Sequence, residues 1–99
     1  MKENLLTIIN NYGVTNQLKK LSEEIFEFKE AVITYELKKS VEYEIPLSEI
    51  IGTHEHLEEE FADVCVLLEQ FKAVYDLNNE RIIEIMKQKI DRQIKRMEK

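Results

Sequence analysis

Four carboxylates in this chain form two pairs with the same spacing. Glu24 and Glu27 lie three apart in Leu21-Ser22-Glu23-Glu24-Ile25-Phe26-Glu27-Phe28. Glu60 and Asp63 lie three apart in Leu57-Glu58-Glu59-Glu60-Phe61-Ala62-Asp63-Val64. Residues three apart are neighbours on a helix surface, so each pair makes a two-carboxylate fork. Each acid stands one step before an apolar residue: Glu24 before Ile25, Glu27 before Phe28, Glu60 before Phe61, Asp63 before Val64. Two helices packed by those apolar stripes bring the forks together along one flank. Four crowded carboxylates repel one another at neutral pH. A hard divalent cation relieves the repulsion, above all magnesium with phosphate oxygens in its shell. Charged residues make up 34% of the chain, so this spacing also arises on solvated surface and does not by itself establish a site.

The elements that must carry these groups are helices. Only two glycines and one proline occur in 99 residues, which favours few, long helices. Leu5, Ile8, Ile9 and Tyr12 predict a short first helix from about Glu3, stopped by Gly13. Leu18, Leu21, Ile25, Phe28, Val32 and Tyr35 predict a second, capped by Thr15 or Asn16 and ending near Lys39 or Ser40. Leu57, Phe61, Val64, Leu68, Phe71 and Tyr75 predict a third, capped by Thr53. Asp76 to Asn79 read as a turn with Asn78 or Asn79 as the next cap. Ile83, Met86, Ile90, Ile94 and Met97 line one side of a fourth. Residues 41–52 read as a connecting segment: Val41 to Ile45 alternates, Pro46 breaks the pattern, and Leu47 to Ile51 has room for one turn before Gly52. The sum is a single all-α domain over residues 1–99, an antiparallel four-helix bundle expected to oligomerise because so short a chain buries little core alone.

The net charge of −6 repels nucleic-acid phosphates, so DNA or RNA is not an expected partner. A lone cysteine, Cys65, excludes an intrachain disulfide, and flanking Val64 and Val66 mark it as a core residue. A cytoplasmic protein is expected: no signal peptide is evident, and no run approaches the ~20 apolar residues of a membrane span. Cations concentrate at the end of the chain. Lys87, Lys89, Arg92, Lys95, Arg96 and Lys99 stand against Asp91 and Glu98. Some of this complements a helix dipole. Lys89, Gln93 and Arg96 also share one face beside the Ile90–Met97 stripe, where cations could hold phosphates that a metal bridges.

Glu23-Glu24-Ile25-Phe26-Glu27 followed by Glu60-Phe61-Ala62-Asp63 resembles the two acidic motifs of the MazG-type all-α nucleoside triphosphate pyrophosphohydrolases. Lys89-Ile90-Asp91-Arg92-Gln93-Ile94-Lys95-Arg96 is similar to that family's third, basic motif. The run from Leu57 to Gln70 is especially similar to small phage and Firmicute-like members. The resemblance covers roughly residues 15 to 97 and keeps motif order. It implies a homodimer or homotetramer, magnesium (with manganese as a substitute), and hydrolysis of a nucleotide between its α and β phosphates. By position it implies Glu24, Glu27, Glu60 and Asp63 as metal ligands. Glu23, Glu24 or Glu27 would serve catalysis by positioning water or taking its proton. Lys89, Arg96 and Arg92 would bind phosphates, Gln93 stands where many relatives have Asn, and Gln17 with Lys20 would contact base or sugar. The chain departs from the family in the 32 residues between Glu27 and Glu60, an unusual length that falls in the connecting segment.

Two rival readings have different signatures. A di-iron bundle needs Glu-x-x-His on two helices. His54 and His56 are the only histidines, and neither follows a glutamate by three, so they read as a solvated helix start. A non-catalytic acidic interaction or regulatory module would keep the fold and lack metal-dependent nucleotide binding.

Overall fold

A computed structural model describes residues 1–98. It contains four helices, and no described residue lies in a strand: α1 (Lys2–Tyr12), α2 (Val14–Ser40), α3 (Leu47–Val74) and α4 (Asn79–Met97). Gly13 joins α1 to α2 at φ 89° and ψ 148°, a conformation almost confined to glycine. Its N–H closes α1 on Ile9 O and its carbonyl receives the first bond of α2 from Gln17 N. Neither Thr15 nor Asn16 caps α2. Both lie inside it, and Asn16 donates instead to Tyr12 O at 2.8 Å.

The largest departure from the sequence reading is the start of α3. It begins at Leu47, with Pro46 in the extended conformation as N-cap, and runs unbroken through Gly52. Proline is preorganised for a helix entrance, and glycine is tolerated inside a helix when neighbouring turns are strong. Thr53 is therefore an interior residue, its hydroxyl turned back on Ile50 O at 2.8 Å. Only residues 41–46 remain as the connection, folded into consecutive turns with Tyr43 almost fully exposed. The last joint follows expectation: Asn78 Oδ1 accepts from Arg81 N at 2.9 Å and caps α4. Just before it, Asp76 adopts the left-handed conformation (φ 49°) while Leu77 N reaches back to Lys72 O, closing the end of α3.

α2 and α3 form an antiparallel pair, and α1 packs across both. Ile9, Ala31, Ile50 and Leu67 are its buried apolar residues. α4 behaves differently. Beyond a hydrogen bond from Lys72 Nζ to Asn79 Oδ1 at its root, it packs against none of the other helices. The chain is all-α and bundled through its first three helices, with the fourth standing clear. The radius of gyration of 17.5 Å compares with about 12.6 Å for a compact domain of this length.

Candidate metal centre

The α2–α3 interface is built in layers, and several of them are polar. Gln17 and Gln70 meet in a buried hydrogen bond, Gln17 Nε2 donating to Gln70 Oε1 at 2.7 Å. Seven residues along α2 from Gln17 stands Glu24, and seven back along α3 from Gln70 stands Asp63. Glu27 and Glu60 follow three further on. The antiparallel register thus matches the two forks to each other, and Phe28 on Phe61 (ring centroids 5.7 Å apart) packs beside them.

Ligand oxygens of Glu24, Glu60 and Asp63 lie within 4.8 Å of one another. The sequence reading put these acids on the flank of the interface. The structure puts two of them inside it. Only 8% of the Glu24 side chain and 12% of the Glu60 side chain are exposed, while Leu18, Ile25, Phe61 and Leu68 of the expected stripes are exposed. The inward face of α2 is Gln17, Leu21, Glu24, Phe28 and Ala31, one step off the all-apolar row. Apolar periodicity selected the greasier of two adjacent faces.

Glu24 is tied by Oε1 to Lys20 Nζ at 3.1 Å, and Lys20 also lies 3.9 Å from Glu23 Oε2. Both contacts are ion pairs, and the hydrogen bond to Glu24 raises the Lys20 ammonium above its ordinary pKa, so it remains a fixed cation. Glu24 Oε2 and Glu60 Oε2 are sealed from solvent with no hydrogen-bond partner. An unpartnered buried carboxylate oxygen is costly. Two of them facing one cluster fit an oxygen-ligated cation, and the all-carboxylate donor set fits a hard ion. Glu27 lies outside the three-residue cluster and is exposed, yet it senses it. The charge of Glu24, then desolvation, then the charge of Glu60 push its carboxyl above the ordinary 4.5.

The other expected site residues separate into two groups. Gln17, Lys20 and Glu23 border the same trough as the cluster. A hollow of about 250 Å³ is lined by Gln17, Lys20, Glu24, Asp63, Leu67 and Gln70 among others, and a neighbouring one of about 500 Å³ by Tyr12, Gln17, Lys20 and Glu23 among others. Lys89, Arg92, Gln93 and Arg96 are all exposed on α4, and the fold of a single chain does not carry them to the carboxylates. Two groups near the cluster escaped the sequence reading. Gln70 closes the Leu57–Gln70 run but carried no role of its own, and its positional signal is its heptad spacing from Asp63. His56 lies within α3 rather than at its start, with Nε2 3.6 Å from Glu60 Oε1. The i, i+4 spacing of His56 and Glu60 was the available signal.

The chain matches no family model, no curated protein and no solved structure.

Proposed function

We propose that this protein is a magnesium-dependent nucleotide pyrophosphohydrolase, cleaving a (deoxy)nucleoside triphosphate to monophosphate and pyrophosphate in the upkeep of the nucleotide pool. The observation that carries the reading is the Glu24–Glu60–Asp63 cluster, with two orphaned oxygens sealed between helices beside a fixed lysine. The order of the acidic and basic motifs, which resembles that of the MazG-type enzymes, supports it. Glu24, Glu60 and Asp63 would hold the ion, with Glu27 next to them. Magnesium, when bound, supplies positive charge to the phosphate oxygens around the bond that breaks. Lys20 adds a second fixed charge at the cluster's edge. One of Glu23, Glu24 or Glu27 would take the proton of a water attacking the α-phosphorus, Glu27 being exposed beside the buried acids, and the α–β anhydride bond would break as pyrophosphate leaves. Glu23, 3.9 Å from Lys20, would help to keep that lysine beside the cluster.

The protein acts in this reading as a homodimer or homotetramer. Its surface of 8058 Å² exceeds by roughly 2,100 Å² what a compact chain of 11.8 kDa exposes. That excess is on the scale of an obligate interface. Ile83, Met86, Ile90, Ile94 and Met97 make an apolar stripe on α4 that its own chain leaves uncovered. A second copy covering it would also carry Lys89, Arg92, Gln93 and Arg96 toward a neighbouring acidic cluster. Among the described residues, no helix is long and apolar enough to cross a membrane.

The test is a panel of dNTPs with magnesium, scored for pyrophosphate against phosphate release. Pyrophosphate from at least one nucleotide, abolished by chelation, is the expected result. The same α4 stripe also favours a second reading, a non-catalytic interaction module. That reading gains if neither magnesium nor manganese with a non-hydrolysable dNTP raises the melting temperature and a basic protein co-purifies.

A further inference from the structure

We propose that Gln70, paired with Gln17, is a specificity-determining residue that reads the nucleobase edge of the nucleotide. The inference rests on the hydrolase reading for its ligand, and on the geometry of the amide pair for its location. Gln70 is the most deeply buried polar residue of the α2–α3 interface at 2% exposure, and Gln17 is 7% exposed. A buried primary amide requires several hydrogen bonds. Their mutual bond uses one donor of Gln17 and one acceptor lone pair of Gln70. Gln17 Oε1 and Gln70 Nε2 are left over, and neither is among the sealed, unpartnered atoms of the chain. Both residues line the 250 Å³ hollow that also holds Glu24, Asp63 and Lys20. Exchanging oxygen and nitrogen in both amides reverses the roles and again leaves one acceptor and one donor. The pair therefore presents an acceptor and a donor, which complement the adjacent donor and acceptor of a nucleobase edge.

Position agrees with chemistry. One heptad of helix separates the amide layer from the Glu24–Asp63 layer, about 10 Å of rise. That is comparable to the reach from a nucleotide's α-phosphate across its sugar to its base. Lys20 stands between the two layers on α2. A second hollow of about 500 Å³ shares Gln17 and Lys20 with the first, and Tyr12 and Asn16 on its wall offer an aromatic face and a further amide. The nucleotide would lie along α2, phosphates at the acids and base at the glutamines. A pair serving only to fix helix register has no need to border the hollow that holds the acids.

The experiment uses the full-length protein with magnesium. Gln70→Met keeps the side-chain volume and removes its hydrogen bonds. The double variant Gln17→Met/Gln70→Met removes both partners together, which restores packing without an orphaned amide. The readouts are melting temperature, KM and kcat for each dNTP, and inhibition by inorganic pyrophosphate. Melting temperature should fall in the single variant and recover in the double one. KM for the preferred dNTP should rise by about 10-fold or more in both, the effect of roughly 1.4 kcal/mol of lost recognition, with pyrophosphate inhibition unchanged. An abasic deoxyribose triphosphate should show no such rise. Recovery of KM together with melting temperature in the double variant would leave the pair a packing device and overturn the proposal. An equal rise for the abasic compound would assign the pair to the sugar and overturn it too. A wild-type protein that neither turns over nor is stabilised by any nucleotide would instead refute the hydrolase reading, and this inference with it.

Discussion

Two regions of this chain place charge and apolar surface in opposite ways. Where α2 meets α3, carboxylates and amides lie inside and Ile25, Phe26, Phe61 and Leu68 lie outside. On α4, every cation is solvated and the apolar stripe faces out with no partner in its own chain. Charge follows the same division. Residues 1–78 hold 16 acids and 7 bases, a net of −9, and α4 holds 6 bases and 3 acids, a net of +3. Unpaired acids in an interior cost stability, and a large exposed apolar stripe marks an interaction surface. The two regions complement each other in sign and in hydrophobicity, and they do not meet within one chain.

The largest effect expected comes from breaking the acidic side. Asp63→Asn and Glu60→Gln should each lower magnesium-dependent turnover by at least about 100-fold, the scale on which one preorganised electrostatic group acts. Their folding, followed by circular dichroism, should be intact, since both changes remove a repelling charge. Full activity in both variants would dissolve the metal assignment. The next effect breaks the other side. Ile90→Asp puts a charge in the middle of the α4 stripe and should shift sedimentation to the monomer, while helix content stays close to wild type. If oligomers persist at micromolar concentration, the α4 stripe is not what holds them. Lys89→Ala leaves the stripe intact and should raise KM for triphosphate by about 10-fold, as expected of a lost charge-assisted hydrogen bond. An unchanged KM would separate α4 from the site altogether.

A smaller effect measures the strain at the acids. The Glu27 carboxyl is raised in the folded chain from its ordinary 4.5, chiefly by the charge of Glu24. As pH rises from about 4.5 through the raised value, the folded state keeps a proton that the unfolded state has released. Stability without metal must then fall with rising pH across that window. Glu24→Gln removes the largest cause and should flatten this part of the pH–melting curve, and magnesium should flatten it in the wild type. A wild-type curve already flat there would show that Glu27 does not feel the charges of Glu24 and Glu60.

The sequence carried the existence of the helices and the approach of Glu24 to Glu60 and Asp63, because heptad spacing on antiparallel helices is a local property repeated over many residues. It misplaced which face turns inward. Ile25 and Leu18 score as core, and Glu24 and Gln17 do not, yet the latter are buried. The candidate site inverts the apolar pattern, and pattern reading does not distinguish that inversion from surface. The start of α3 was missed for another reason. Gly52 and Thr53 are ordinary punctuation marks, and tertiary packing of Ile50 overrode them. The isolation of α4 has no local signature at all, because its stripe is the same whether its own chain or another copy covers it.

Gly52 offers the finest probe of that comparison. It sits inside α3, and a Cβ built there meets nothing within 4 Å. Gly52→Ala should therefore stabilise α3 by about 1 kcal/mol through backbone entropy alone, raising the melting temperature by roughly 4–8 °C for a domain of this size. That expectation holds if the surface around Gly52 is open. A second copy packed closely against α3 at this point would meet the new methyl group, and the gain would vanish or reverse. Measured together with the Ile90→Asp monomer, the substitution has two distinct readings. A gain in both forms leaves this turn of α3 free in the oligomer. A gain in the monomer alone places the neighbouring copy against the acidic body at Gly52.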